Sequence, residues 1–338
     1  MPDLPTIWFL LLGVLILGYA LLDGFDLGVG VLHPFVARTD RERRTTMATI
    51  GPVWDGNEVW LLTAGGALFA AFPRVYATVF SGFYLAMILL LVGLILRAVA
   101  LEFRDREEGR AWRTTWDGAF FVGSLVPALL LGVALGNVVR GLPLTEAGAY
   151  EGGLLGLLNP FSLLTGLVGL AMLVLHGALW LTLRTNGIVQ ARARRAAVGG
   201  WLALVVGSLA LTGLAAVEIP DRFARFETPL AWLVPAALAL ALAGAAIALQ
   251  TRRLGLAFLA SGLAIASELG LVGLALYPDL VPSTGPGPSL TVANAASSEL
   301  TLTVMLAIAL VGMPLVLAYT AYVYRTFWGK VVVEEGGY

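Results

Sequence analysis

Four carboxylates stand inside long apolar runs: Asp23 and Asp26 in the first, Asp55 and Glu58 in the second. A charged side chain at mid-bilayer costs about 2.5 to 3.5 kcal/mol on insertion scales, so these acids must face protein, water or a partner subunit. Each pair has i,i+3 spacing, which places both members on one face of a helix. At 1.5 Å per residue, Asp26 lies roughly 28 Å along a helix starting near Ile7; Asp55 and Glu58 lie roughly 10 and 15 Å along one starting near Ala48. If those helices run in opposite directions, both pairs approach the same half of a membrane. A string of protonatable groups opening to one side is what a proton-uptake path requires. The plainer alternative is that the acids cap irregular helix ends. Four acids on neighbouring helices, beside Trp54, Asn57 and Trp60, favour the path.

Other reactive side chains are few. The chain has no cysteine, which removes disulfides, thiolate metal sites, iron-sulfur clusters and cysteine nucleophiles together, and no metal site is expected in it. It has two histidines. His33, near the end of the first apolar run, reads as an interfacial residue bonded to water or headgroups. His176, within the fifth, could ligate a haem iron or donate a hydrogen bond across a helix bundle, and the second reading is favoured. Glu268 has no neighbour in sequence that suggests a role.

The elements that position these residues follow from composition. Of 338 residues, 59% are hydrophobic and 13% charged, against roughly 25% charged in a soluble domain, so the chain is an integral membrane protein. The net charge of -1 offers no cationic surface for nucleic acid. Apolar stretches long enough to span lie near 7–31, 48–72, 75–103, 115–138, 161–183, 197–217, 229–249, 254–276 and 301–325, which predicts nine transmembrane helices in one membrane domain. None alternates as a barrel strand would, so the fold class is all-α. Sixteen of the 21 cations fall in odd-numbered connections or after the last span, among them Arg38, Arg104, Arg184, Arg252 and Lys330. Arg74, Arg140, Arg222 and Arg225 fall on the other side. The positive-inside rule then puts the N-terminus outside and the C-terminus in the cytoplasm. Arg97, inside the third span, either snorkels to the interface or serves as a buried counter-ion.

Two weaker patterns complete the reading. Arg38-Thr39-Asp40 is echoed by Arg184-Thr185-Asn186, which suggests a pseudo-repeat of helices 1–4 and 5–8 as two four-helix bundles with one extra helix. Gly24, Gly28, Gly30, Gly65 and Gly66 suit close helix packing. Trp8, Tyr319, Tyr322, Tyr324 and Trp328 read as an interfacial aromatic belt.

The segments Leu22-Asp23-Gly24-Phe25-Asp26-Leu27-Gly28-Val29-Gly30 and Gly51-Pro52-Val53-Trp54-Asp55-Gly56-Asn57-Glu58-Val59-Trp60 closely resemble the signature of cytochrome bd quinol oxidase subunit II. Phe69-Ala70-Ala71-Phe72-Pro73, Asn159-Pro160-Phe161 and Asn294-Ala295-Ala296 extend the likeness over nearly the full chain. It is weakest around 197–260, where only hydropathy is shared.

The resemblance implies a bacterial inner-membrane subunit paired with a homologous subunit I that holds two haems b and one haem d. Together they would oxidise quinol and reduce dioxygen to water. In that family the haem ligands belong to subunit I, so no catalytic residue is expected in this chain. The resemblance also implies a proton route at the subunit interface that includes Asp55; by their depth Asp26, Glu58 and Asp23 are its expected neighbours, and Trp54, Asn57 and Arg97 are expected as interface or supporting residues. A structural quinone and a small accessory subunit are left open. The competing reading is a proton-coupled transporter, since buried acids, glycine-rich helices and a repeat are transporter features too.

Overall fold

The computed structural model describes residues 3–331, with Arg225 known only by its backbone. The first helix, α1 (Leu4–Val36), starts where the Asp3 carboxylate accepts the Thr6 backbone N–H at 3.0 Å. There follow α2 (Asp40–Ala48), α3 (Trp54–Ala71), α4 (Pro73–Gly82), α5 (Tyr84–Phe103) and α6 (Arg110–Arg140). The second half comprises α7 (Gly153–Gly156), α8 (Pro160–Arg184), α9 (Gly187–Glu218), α10 (Leu233–Gln250), α11 (Leu254–Leu276) and α12 (Glu299–Thr326). Strands β1 (Asp279–Val281) and β2 (Leu290–Thr291) form a short antiparallel ribbon before α12.

Among the described residues eight helices are long and apolar enough to cross a membrane: α1, α5, α6, α8, α9, α10, α11 and α12. The second expected span behaves differently. Residues 49–53 turn, and α3 is only 18 residues long, about 27 Å, with Asp55, Asn57 and Glu58 diluting its apolar character. Even so, α3 joins the two ends of the bundle. Just before it, the Thr49 carbonyl accepts the Trp180 indole N–H at 3.2 Å; at its far end the Ala71 carbonyl accepts the Ser297 N–H at 2.9 Å. The third expected span is interrupted near Phe83, so that α4 forms part of one end and α5 alone makes the traverse.

The two ends differ in chemistry. At the arginine-rich end, α2 opens with a capping box between Thr39 and Glu42, and Arg192 from α9 reaches Glu42 at 2.8 Å. At the opposite end long connections close over the bundle. Leu142 bridges to Ser283, Arg74 donates to the Asn294 carbonyl at 3.1 Å, and Arg140 pairs with Glu218 at 2.9 Å.

The bundle centre is the contact of α1 with α8. A Cβ on Gly28 would strike the Leu173 carbonyl, and one on Gly177 would strike the Gly28 backbone, so both glycines exist to let the backbones touch. Phe25 stacks on Trp180 beside them, with ring centroids 4.1 Å apart. Gly65 and Gly66 are different: nothing within 4 Å would meet a Cβ at either, so the packing expected of them does not come from the described residues.

Candidate functional site

Two of the four acids singled out in the sequence, Asp23 and Glu58, pair with one cation, and a third, Asp26, lies beside them. Arg97, from the middle of α5, is fully buried; its guanidinium donates to Asp23 of α1 at 2.7 Å and to Glu58 of α3 at 2.8 Å. Of the two readings open for Arg97, the structure takes the counter-ion. Asp26 lies one turn below Asp23 on the same face of α1, as its spacing requires. It accepts the Asn57 side-chain amide at 2.8 Å, and that amide also lies 3.3 Å from the Leu22 carbonyl.

The spacing of α3 assembles this half of the site. Asn57 and Glu58 follow one another, so Asn57 turns toward Asp26 while Glu58 turns toward Arg97. The Asn57 carbonyl oxygen accepts the Tyr324 hydroxyl at 2.9 Å, tying α12 to the cluster. Asp23 and Asp26 are completely buried, and one oxygen of each has no hydrogen-bond partner among the described residues. Two carboxyls thus share one guanidinium, and the Asp26 carboxyl lies one turn away, held by the Asn57 amide.

Asp55 is placed elsewhere. It lies in the first turn of α3, exposed at the surface of the chain, where a carboxylate is favoured by the helix N-terminus. It is one helical turn from Glu58 but is not part of the hydrogen-bonded cluster. The same stripe of α3 carries Val59 and Leu62, 48% and 71% exposed, and glycines with open space around them at 56 and 66. Trp54 is half-buried beside it.

A second polar cluster, which sequence reasoning did not find, lies at the arginine-rich end. Asp117 of α6 accepts from Arg104 Nε at 2.6 Å, from Arg43 Nη1 and from His33 Nε2, the last at 2.9 Å. Arg104 also reaches Asp40 and Asp105, both at 2.8 Å. His33 is therefore not the interfacial residue its position suggested. It is fully buried, with Nδ1 2.7 Å from the Thr46 hydroxyl.

Other expectations divide in the same way. His176 makes the favoured cross-bundle contacts: Nε2 donates to the Leu21 carbonyl at 3.0 Å and Nδ1 lies 2.7 Å from the Ser261 hydroxyl. Glu268 acquires one partner, the Ser208 hydroxyl of α9 at 2.6 Å. Within the supposed belt, Tyr319, Tyr322 and Trp328 are exposed as expected. Trp8 is buried and donates to the Leu302 carbonyl, and Tyr324 turns inward to Asn57. Aromatic residues near helix ends look alike in sequence, and only the packing of α12 separates them.

A polytopic α-helical protein with a buried three-carboxyl, one-arginine cluster is thus the class defined by fold and site. The family model for cytochrome bd terminal oxidase subunit II matches residues 4–327, and the chain belongs to that family. Cytochrome bd-I ubiquinol oxidase subunit 2 of Escherichia coli K12 is 40% identical, the match covering 98% of this chain and 96% of that one. Cytochrome bd ubiquinol oxidase subunit 2 of Bacillus subtilis is 37% identical over 99% of both chains. The fold is that of a chain in the bd oxidase from Geobacillus thermodenitrificans, with a TM-score of 0.79 at 20% identity over 96% of this chain. None of these relatives favours the transporter reading.

Proposed function

We propose that this chain works in a bacterial inner membrane as the haem-free half of an oxidase that takes electrons from quinol and reduces dioxygen to water. Its partner is a haem-bearing subunit I, holding two haems b and one haem d. The histidines support that division. Both ring nitrogens of His33 and of His176 are engaged by Thr46, Asp117, Ser261 and Leu21, so neither fits as an iron ligand. The chain's own contribution is binding and proton supply.

In this reading α3 is the ninth crossing, the N-terminus lies outside, and the arginine-rich end with the C-terminus faces the cytoplasm. The sixteen cations gathered there support the orientation. The contact pattern supports the two-unit repeat. α1 packs on α3 and α6 as α8 packs on α9 and α11, and α5 pairs with α6 as α10 pairs with α11. The open stripe of α3, carrying Asp55, Val59 and Leu62, is the face offered to subunit I.

Protons would enter from the cytoplasm at Asp55, near the start of α3, and pass by way of Glu58 to the Asp23 and Asp26 carboxyls toward the partner's oxygen-reducing centre. Arg97 fixes Asp23 and Glu58, Asn57 orients Asp26, and Trp54 flanks the entry. The single observation carrying the proposal is the clustering of three carboxyls around one arginine that pairs with two of them, with the fourth acid one turn away on an open face. Replacing Asp55 with Asn should slow oxygen consumption by about tenfold or more, the scale of a lost proton-transfer group, while haem absorbance and assembly stay normal. Unchanged turnover in a well-assembled complex would overturn the path.

A further inference from the structure

Arg184, the last residue of α8, carries a charge that the rest of the described chain does not neutralise. It is 6% exposed, and Nη2 donates to the Phe327 carbonyl at 2.6 Å. Nε and Nη1 are buried with no hydrogen-bond partner, and no carboxylate of the described residues pairs with it. The guanidinium instead lies between two indoles, 5.3 Å from the Trp180 ring centroid and 5.9 Å from that of Trp328. Lys330 adds a second cation at the same spot, donating to the Thr182 and Thr185 carbonyls at 2.9 and 2.7 Å. Burial and the nearby Arg184 charge both push the Lys330 ammonium down from its ordinary range. Two cations without an acid call for an anion, because an unpaired buried charge is costly.

The surroundings specify which anion. Beneath Arg184 an apolar cavity of about 370 Å³ opens between α1, α8, α11 and α12, within the range of small-molecule sites. Leu21, Phe25, Phe258, Leu259 and Gly262 line it, and its wall shares Trp180, Tyr324 and Trp328 with the cleft that holds Arg184. Charge therefore sits at the mouth, at the arginine-rich end of the helices, and hydrocarbon-like lining extends inward along them. Trp328, 63% exposed, forms the outer rim. An amphiphile with an anionic head and an extended apolar tail matches both parts. A free anion would leave the cavity unused, and a neutral head would leave the charge unpaired.

We propose that this cleft and cavity form a specific site for an anionic phospholipid, its phosphate held by Arg184 with Lys330 and one acyl chain lying against Phe25, Phe258 and Leu259. The lipid would add to the contacts by which Tyr324, Phe327 and Trp328 hold this end of α12 to the α1–α8 core.

The test uses the intact two-subunit complex in phosphatidylcholine nanodiscs containing a minority of palmitoyl-oleoyl phosphatidylglycerol, read by native mass spectrometry. Wild type should retain one phosphatidylglycerol after detergent release. Arg184→Gln should lower the retained fraction about tenfold, the scale of a lost charge-assisted hydrogen bond, and Arg184→Lys should restore part of it. Gly262→Leu, which fills the cavity and leaves the cations in place, should lower retention comparably, and it decides the matter if Arg184→Gln fails to assemble. Equal retention in all variants, retention of phosphatidylcholine in place of phosphatidylglycerol, a quinone occupying the cavity, or binding of inorganic phosphate alone would each overturn the proposal.

Discussion

The chain holds two buried polar clusters, and their charge balance is opposite. In the middle of the bundle, among the described residues, Asp23 and Glu58 share the cation Arg97, Asp26 beside them has only the Asn57 amide, and oxygens of both aspartates lack partners. At the arginine-rich end Asp117 alone receives Arg43, Arg104 and His33, and Arg104 has further carboxylates in Asp40 and Asp105. A carboxylate with three donors has little use for a proton. Carboxyls that outnumber their cations can take one up and give it back. On the proposed reading the first cluster exchanges protons, whereas the second locks α1, α2, α5 and α6 together.

Substitutions sharpen this contrast. The largest effect is expected at Arg97. Arg97→Met leaves two carboxylates buried without their cation, a loss on the scale of about 3 to 5 kcal/mol for breaking a buried pair, read as a failure to recover assembled complex. Adding Asp23→Asn and Glu58→Gln should restore assembly but not turnover, because the charges are then gone and so are the exchangeable protons. Asp117→Asn comes next, at about 1 to 3 kcal/mol. Arg104 keeps Asp40 and Asp105, so the complex should melt at lower temperature while turnover per assembled complex is preserved. If Asp117→Asn instead abolished turnover in stable complex, the two clusters would not be functionally distinct.

Smaller effects mark the boundary of the first cluster. Glu268 is an intramembrane acid too, but it has only the Ser208 hydroxyl and no place among the three acids. Glu268→Gln keeps that contact and should change melting and turnover little, within about 0.5 kcal/mol. The least effect concerns pH. Burial would raise the Glu42 carboxyl, but the Arg38 backbone N–H, the Arg192 guanidinium and the Thr39 backbone N–H together hold it below its ordinary range. Its stabilisation is therefore complete above the unfolded-state pKa and fades as pH falls through the folded one. Thermal melting should weaken toward acid, and Glu42→Gln should reduce that slope without altering turnover at neutral pH.

What could be read from the sequence was the part fixed by local periodicity. The apolar runs predict the long helices, and the i,i+3 pairs put Asp23 with Asp26 on one face. The motif around Asp55 carried the family resemblance. What could not be read was set by contacts distant in sequence. Asp117 is an acid near a helix start, which looks like any interfacial residue until two arginines and a histidine, from α1, α2 and the end of α5, come together on it. Tyr324 sits among exposed tyrosines and only the packing of α12 against α3 brings it to Asn57. The break before α5 was hidden because residues 73–83 stay apolar enough to read as a continuation. Asp55 and Glu58 looked equivalent, but one faces Arg97 and the other faces out of the chain.

The proposed relay through the carboxyl cluster is tested most directly by infrared difference spectroscopy of the intact complex between its reduced and oxidised states. A carboxylic C=O band should change on turnover and disappear in Asp26→Asn, whereas Asp117→Asn should leave it in place. A spectrum with no carboxyl change, or one identical in wild type and Asp26→Asn, would contradict a relay through this cluster.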